Sequence, residues 1–166
     1  MNPKLVVSKN STIINQGFGP GEKASFNGVV YEVVDNTLLR ERIRQQVNLS
    51  KLCTSLVTDM SGIFFNTKIS QPIHYWDVSQ VEDMSRMFAQ SIFNHPIGNW
   101  DVSKVKIMRS MFQDSCFNQP IDYWDVSQVQ DMGYLFFNSF FNPGPQHYFL
   151  KYFFYGYKGL VGDPVT

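Results

Sequence analysis

The sequence predicts an α/β solenoid, an array of four 24-residue repeats, each a short strand plus a short helix, between N- and C-terminal caps. Three observations predict it. Trp76-Asp77-Val78-Ser79 returns as Trp100-Asp101-Val102-Ser103 and as Trp124-Asp125-Val126-Ser127, 24 residues apart each time. Blocks of 24 residues begun at Leu52, Trp76, Trp100 and Trp124 share whole columns, such as Ser55/Ser79/Ser103/Ser127 and Val57/Val81/Val105/Val129. Within a block, Val81, Met84 and Phe88 fall at i, i+3 and i+7, one face of a helix. A fixed period of this size marks stacked units, because one unit is too small to bury its own apolar stripe.

The elements follow in chain order. Residues 1–51 read as an N-terminal cap. Met1–Ser25 looks irregular, with a turn at Gly19-Pro20-Gly21. Val29–Val34 reads as a strand. Asp35 or Asn36 can cap a helix over Thr37–Val47, whose Leu39, Ile43 and Val47 share a face and would seal the first repeat. Arg40, Arg42 and Arg44 on that helix read as a solvated face, not a polyanion site, since the 14 basic residues are matched by 14 acidic ones.

Residues 52–147 read as the repeats. Ser79 and its equivalents sit where a helix N-cap is wanted, and Ser79…Glu82 matches a capping box. That helix should end near Ser91. Phe93–Trp100 contains Pro96 and Gly98, so it should run mostly extended. The expected core columns are Trp76, Trp100 and Trp124; Met84, Met108 and Met132; and Phe64, Phe88, Phe112 and Phe136. Asp77, Asp101 and Asp125 form a carboxylate column. Each is expected to accept backbone N–H bonds in its own turn, with a calcium-binding ladder as the alternative. Asn94, Asn118 and Asn142 are expected to form an amide ladder. An all-β solenoid competes, but Val81–Phe88 lacks the alternation that a strand needs. Residues 148–166 hold the aromatic run Tyr148–Tyr157, read as a C-terminal cap over the last repeat, with docking or self-association as the alternative.

The string Trp-Asp-Val-Ser-x-Val-x-Asp-Met-Ser-x-Met-Phe…Ser-x-Phe-Asn-x-Pro-Ile at Trp76–Ile97 resembles the BspA-like surface-protein repeat. That repeat is also called DUF285 or mycoplasma-lipoprotein-type, and it is related to leucine-rich repeats. The likeness covers about Leu52 to Asn142. It implies a right-handed, leucine-rich-repeat-like solenoid and a non-enzymatic, surface-exposed protein used in adhesion or protein–protein contact.

Composition bounds the function classes. A zero net charge gives no basic excess for nucleic acid. Cys53 and Cys116 lie in blocks one and three, about 10 Å apart along the stack, which is too far for a disulfide. Cys116 reads as a small core residue. Met1–Ser8 has too short an apolar run for a secretory signal, so the cell-surface or extracellular location comes from the resemblance alone. No stretch reaches transmembrane length. His74, His95 and His147 occupy unrelated slots. No zinc-type spacing, phosphate-binding glycine loop or nucleophile elbow is present, so no enzyme activity, cofactor or metal is expected. The columns that vary between blocks should decorate the faces. Glu82, Arg86, Lys106, Ser110, Gln130 and Tyr134 are therefore the candidate interaction surface for an unidentified protein partner. The alternative is a structural subunit of a coat or other assembly, built through its ends or its aromatic tail.

Overall fold

In a computed structural model of the chain, residues 2–142 are described. The aromatic run Tyr148–Tyr157, His147 and the end of the fourth block lie outside the described residues.

The N-terminal part is more regular than its sequence suggests. Strands β1 (Lys4–Val7) and β2 (Ile13–Gln16) form an antiparallel hairpin. Strand β3 (Lys23–Phe26) pairs antiparallel with β4 (Val29–Val33). The positive φ of Asn27 (47°) and Gly28 (77°) makes the tight turn between them. Helix α1 (Asn36–Arg44) follows, with Asp35 as N-cap accepting the Leu38 amide. After a 3-10 turn (Leu49–Lys51), β5 (Leu52–Cys53) pairs parallel with β4. Met1–Ser25 is therefore not irregular. Its strands are only four residues long, and the polar Lys4, Asn15, Gln16 and Lys23 hide their alternation.

The α/β solenoid of leucine-rich-repeat type is overturned. Among the described residues α1 is the one α-helix, and the two sheets hold two and three strands. Over residues 54–142 there is neither a helix nor a strand, only turns and isolated bridges. The backbone explains why. A helix would send each amide to the carbonyl four residues back. Here the amides alternate. Met87, Ala89 and Ser91 close turns onto Met84, Arg86 and Phe88, while Met84, Arg86, Phe88 and Gln90 donate across to Ile107, Arg109, Met111 and Gln113. The third residue of alternate turns has a positive φ: 53° at Arg86 and 55° at Gln90, with like values at Ser110, Asp114, Tyr134 and Asn138. That is where a type II turn requires it, and it is incompatible with a right-handed helix. The serine cap and capping box at Ser79 consequently start nothing. Instead the Ser79 amide donates to Asp77.

Segments 24 residues apart are nevertheless in register. Parallel bridges link Asp59 to Asp83, Asp83 to Ile107 and Ile107 to Asp131. The rings of Phe64, Phe88, Phe112 and Phe136 lie face to face at 5.5, 5.6 and 5.2 Å. A second aromatic file, Phe93, Phe117 and Phe141, packs against it, with Phe88–Phe93 at 4.3 Å and Phe112–Phe117 at 4.2 Å. Both belong to one core with Trp76, Trp100 and Trp124. Met84 and Met108 are buried there too, whereas Met132 and Phe136 are only partly covered. Burying one such side chain contributes roughly 1.5–3 kcal/mol.

Candidate interaction surface

Two polar ladders, together with the inward apolar files, fix which side chains are free to meet a partner. Asp59, Asp83 and Asp131 accept the amides of Ser61, Ser85 and Gly133 at 2.7, 2.7 and 2.8 Å. Asp77, Asp101 and Asp125 do the same for Ser79, Ser103 and Ser127 at 3.1, 3.1 and 3.0 Å. The Ser127 bonds hold the Asp125 carboxyl below its ordinary range. Each aspartate thus organises its own turn. Asn94 accepts the Asn118 amide at 2.8 Å, and Asn118 the Asn142 amide at 2.9 Å, so these amides tie one block to the next.

The candidate surface residues separate into groups. Glu82 and Lys106 pair with each other at 2.6 Å on the exposed face. Such a pair stabilises by no more than about 1 kcal/mol. Lys104 reaches Gln80 at 2.8 Å beside it. Arg86 and Gln130 are exposed. Ser110 is only 4% exposed and so forms no part of any surface. Tyr134 is 38% exposed and stands in a cluster that sequence reasoning missed. The Arg109 guanidinium lies 5.2 Å over its ring, and Phe137 meets it edge-on at 5.8 Å. Arg109 also pairs with Asp131 at 3.5 Å. Arg109 falls in a column with Ser61, Ser85 and Gly133, and Phe137 in one with Phe65, Ala89 and Gln113, so neither column advertises a site.

Further apolar side chains face outward near this end. Tyr123 is 92% exposed and Phe140 73%. Ile92, Cys116 and Phe140 share an outward column, so Cys116 is exposed and not a core residue. Its neighbours in the column are apolar, but the column faces solvent. Cys53 is the buried thiol. Burial pushes it above its ordinary pKa, against hydrogen bonding from Ser55. Both cysteines are free.

His74 and His95 do not converge on one ligand position. The His95 ring lies 3.0 Å from the Ser70 carbonyl, while His74 packs on Tyr75 at 3.6 Å between centroids. Burial, and then the charge of His95, depress the His74 pKa. Among the described residues no three His, Cys, Asp or Glu side chains gather as metal ligands, and no helix is long and apolar enough to cross a membrane. A cleft of about 140 Å³ is lined by residues including Gln119, Pro120, Ile121 and Phe141. That is below the roughly 300–1,000 Å³ of small-molecule sites.

Residues 35–147 match the family described as "Mycoplasma protein of unknown function, DUF285". No curated protein and no solved structure matches the chain. The family match spans more than half of the sequence, from α1 through the fourth block, and the chain therefore belongs to the DUF285 family of Mycoplasma proteins of unknown function.

Proposed function

We propose that this chain is a non-enzymatic protein–protein interaction module, of the kind used in adhesion, whose recognition surface centres on Arg109, Tyr134 and Phe137. The observation that carries this reading is the half-exposed Arg–Tyr–Phe cluster, with Tyr134 at 38% and Phe137 at 37% exposure. Aromatic and arginine side chains dominate the energetic centres of protein interfaces. Here they are held by each other, so little rotamer entropy remains to be lost on binding. Tyr123, Ile107 and Phe140 supply further exposed apolar area. The carboxylates that could serve as acid or base are instead turned into their own backbone loops.

The structural-subunit reading is less well supported. Growth by stacking ends needs two open ends, and α1 covers one of them: its Asn36 and Arg40 bond to Thr58 and Ser61 of the first block.

Affinity capture from the native source, with the wild-type chain beside a Tyr134→Ser/Phe137→Ser variant, tests the proposal. A specific protein held by the wild type should be lost, by about tenfold or more, from the variant. Equal capture by a folded variant would overturn the surface assigned here.

A further inference from the structure

An asparagine can rearrange its own backbone where two conditions meet. Its side-chain amide carbon must be open to attack, and the next backbone nitrogen must be free to attack it. The described asparagines differ on both counts. Asn36 is held by three bonds: its Oδ1 accepts the Thr58 and Asp59 amides and its Nδ2 donates to Thr58 Oγ1. Asn48 is held by Ser50, and Asn94 and Asn118 by the amides of the following block. Asn15, Asn99 and Asn138 likewise spend their side-chain amides on neighbours. At Asn10 and Asn66 the next nitrogen is engaged, since the Ser11 amide donates to Ser8 and the Thr67 amide to Phe64. Asn2 and Asn142 precede prolines, which carry no N–H.

Asn27 meets both conditions. It is exposed in the turn between β3 and β4, and its side chain has no hydrogen bond among the described residues. The residue after it is Gly28, whose amide is likewise unpaired among the described residues. A Cβ at Gly28 would meet nothing within 4 Å, so the approach is open. One restraint remains. The positive φ of both residues, 47° and 77°, belongs to a tight hairpin turn. Closing a ring from the Gly28 nitrogen to the Asn27 side chain needs rotation about the Asn27 Cα–C bond, out of that conformation. The reaction therefore waits on opening of the turn, and a hairpin tip in solvent is where local opening costs least.

We propose that Asn27–Gly28 is a self-modification site, with water as co-reactant, at which the asparagine becomes aspartate or isoaspartate. The Gly28 nitrogen attacks Asn27 Cγ and gives up its proton, and the side-chain nitrogen leaves as ammonia. A cyclic succinimide remains. Water then opens the ring at one of its two carbonyls. Breaking the bond to Cγ gives aspartate. Breaking the bond to the backbone carbonyl carbon gives isoaspartate, in which the main chain runs through the former side chain. The net change is uptake of water and loss of ammonia, with no oxidant or reductant. Isoaspartate lengthens the turn by one backbone atom. Turn length fixes hairpin register, so the pairing of Phe26 with Val29 and of Ala24 with Tyr31 should loosen in that product.

Prolonged incubation of the full-length chain at neutral pH, followed by mass spectrometry with fragmentation to place each site, reads this directly. Asn27 should gain about one dalton at least about tenfold faster than Asn10, Asn36 or Asn66. Modification of Asn10 or Asn36 at the rate of Asn27 would overturn the proposal. So would an Asn27 that stays intact in the folded chain after the same residue has reacted in guanidinium chloride. The isoaspartyl form, separated by chromatography, should exchange the amides of β3 and β4 about tenfold or more faster, relative to those of α1, than the unmodified chain does. An unchanged ratio would overturn the assigned effect on the hairpin.

Discussion

At the scale of single residues, the three tryptophans share a column but not an environment. The Trp76 indole donates to the Leu49 carbonyl at 3.0 Å and that of Trp124 to Ile97 at 3.2 Å, whereas Trp100 Nε1 is buried without an acceptor among the described residues. Replacing an indole by phenyl removes similar area at Trp76 and Trp100. At Trp76 it also removes a hydrogen bond, which contributes about 1 kcal/mol, and at Trp100 it relieves an unsatisfied donor. Trp76→Phe should therefore lower stability by about 1 kcal/mol more than Trp100→Phe, read from urea midpoints. Equal losses would contradict the assigned partners. Glycines give a second contrast. A Cβ at Gly98 would stand 2.6 Å from the Pro120 carbonyl oxygen, which is backbone of the next block and has nowhere to go. One at Gly133 would stand 2.9 Å from Arg109 Nη1, the tip of a movable side chain. Gly98→Ala should cost about 1–3 kcal/mol and Gly133→Ala much less, as compared by thermal melts.

At the scale of elements, α1 is fastened to the sheet by one ion pair. Arg42 holds Glu32 of β4 through two bonds, Nε–Oε2 at 2.9 Å and Nη2–Oε1 at 2.7 Å. The Arg42 hydrogen bond, opposed by burial, keeps the Glu32 carboxyl below its ordinary value of 4.5. For Asp59, burial pulls upward, but bonds from Ser61 and the charge of Arg40 outweigh it and lower the pKa. In both cases the unfolded chain takes up the proton first. The stabilisation is present above the unfolded value near 4 and drains away as pH falls through the folded one. Unfolding followed at pH 7 and at pH 3 should show the gap between wild type and Glu32→Gln narrowing in acid. A gap independent of pH would contradict the pairing. The elements also differ in how far the sequence discloses them. Strand β4 and the Asp35 cap of α1 were legible, because a β-branched run and an i, i+4 apolar pair are local signals. The turns of the blocks were not. Their left-handed residues are Gly62 in the first block but Arg86, Ser110 and Tyr134 afterward, so composition does not mark them. Val81, Met84 and Phe88 share a face equally well through overlapping turns as through a helix. The described residues should accordingly contribute only a weak helical signal to a circular dichroism spectrum, that of the nine residues of α1. A strong minimum at 222 nm would restore the helix in each block.

For the whole molecule, the 24-residue period disclosed which residues meet while leaving open the backbone that brings them together. Side-chain identity carries contact information, and the Phe file follows from it. Whether an amide bonds along the chain or across to the next block depends on φ at two residues per block, which substitution has blurred. The candidate surface was only partly legible for a related reason. Variation between columns located Tyr134, but it also pointed to Ser110, which lies inward, and it passed over Arg109 and Phe137. If the stability of the stack comes from burying these rings, the cost of a truncation should follow how completely the side chain is buried. Phe112 has Phe88 on one side at 5.6 Å and Phe136 on the other at 5.2 Å, with Phe117 beside it, and it is fully buried. Phe136 stacks on Phe112 and Phe141 but is only partly buried. Phe112→Ala should therefore cost about 3–5 kcal/mol, because it opens a cavity and ends the stacking on both faces of the ring. Phe136→Ala should cost roughly half as much, in proportion to the smaller apolar area that it exposes. Equilibrium denaturation of the two variants separates the cases. Equal costs would mean that the difference in burial between the two rings does not set what each contributes, and an unchanged melting curve for Phe112→Ala would remove that ring from the core altogether.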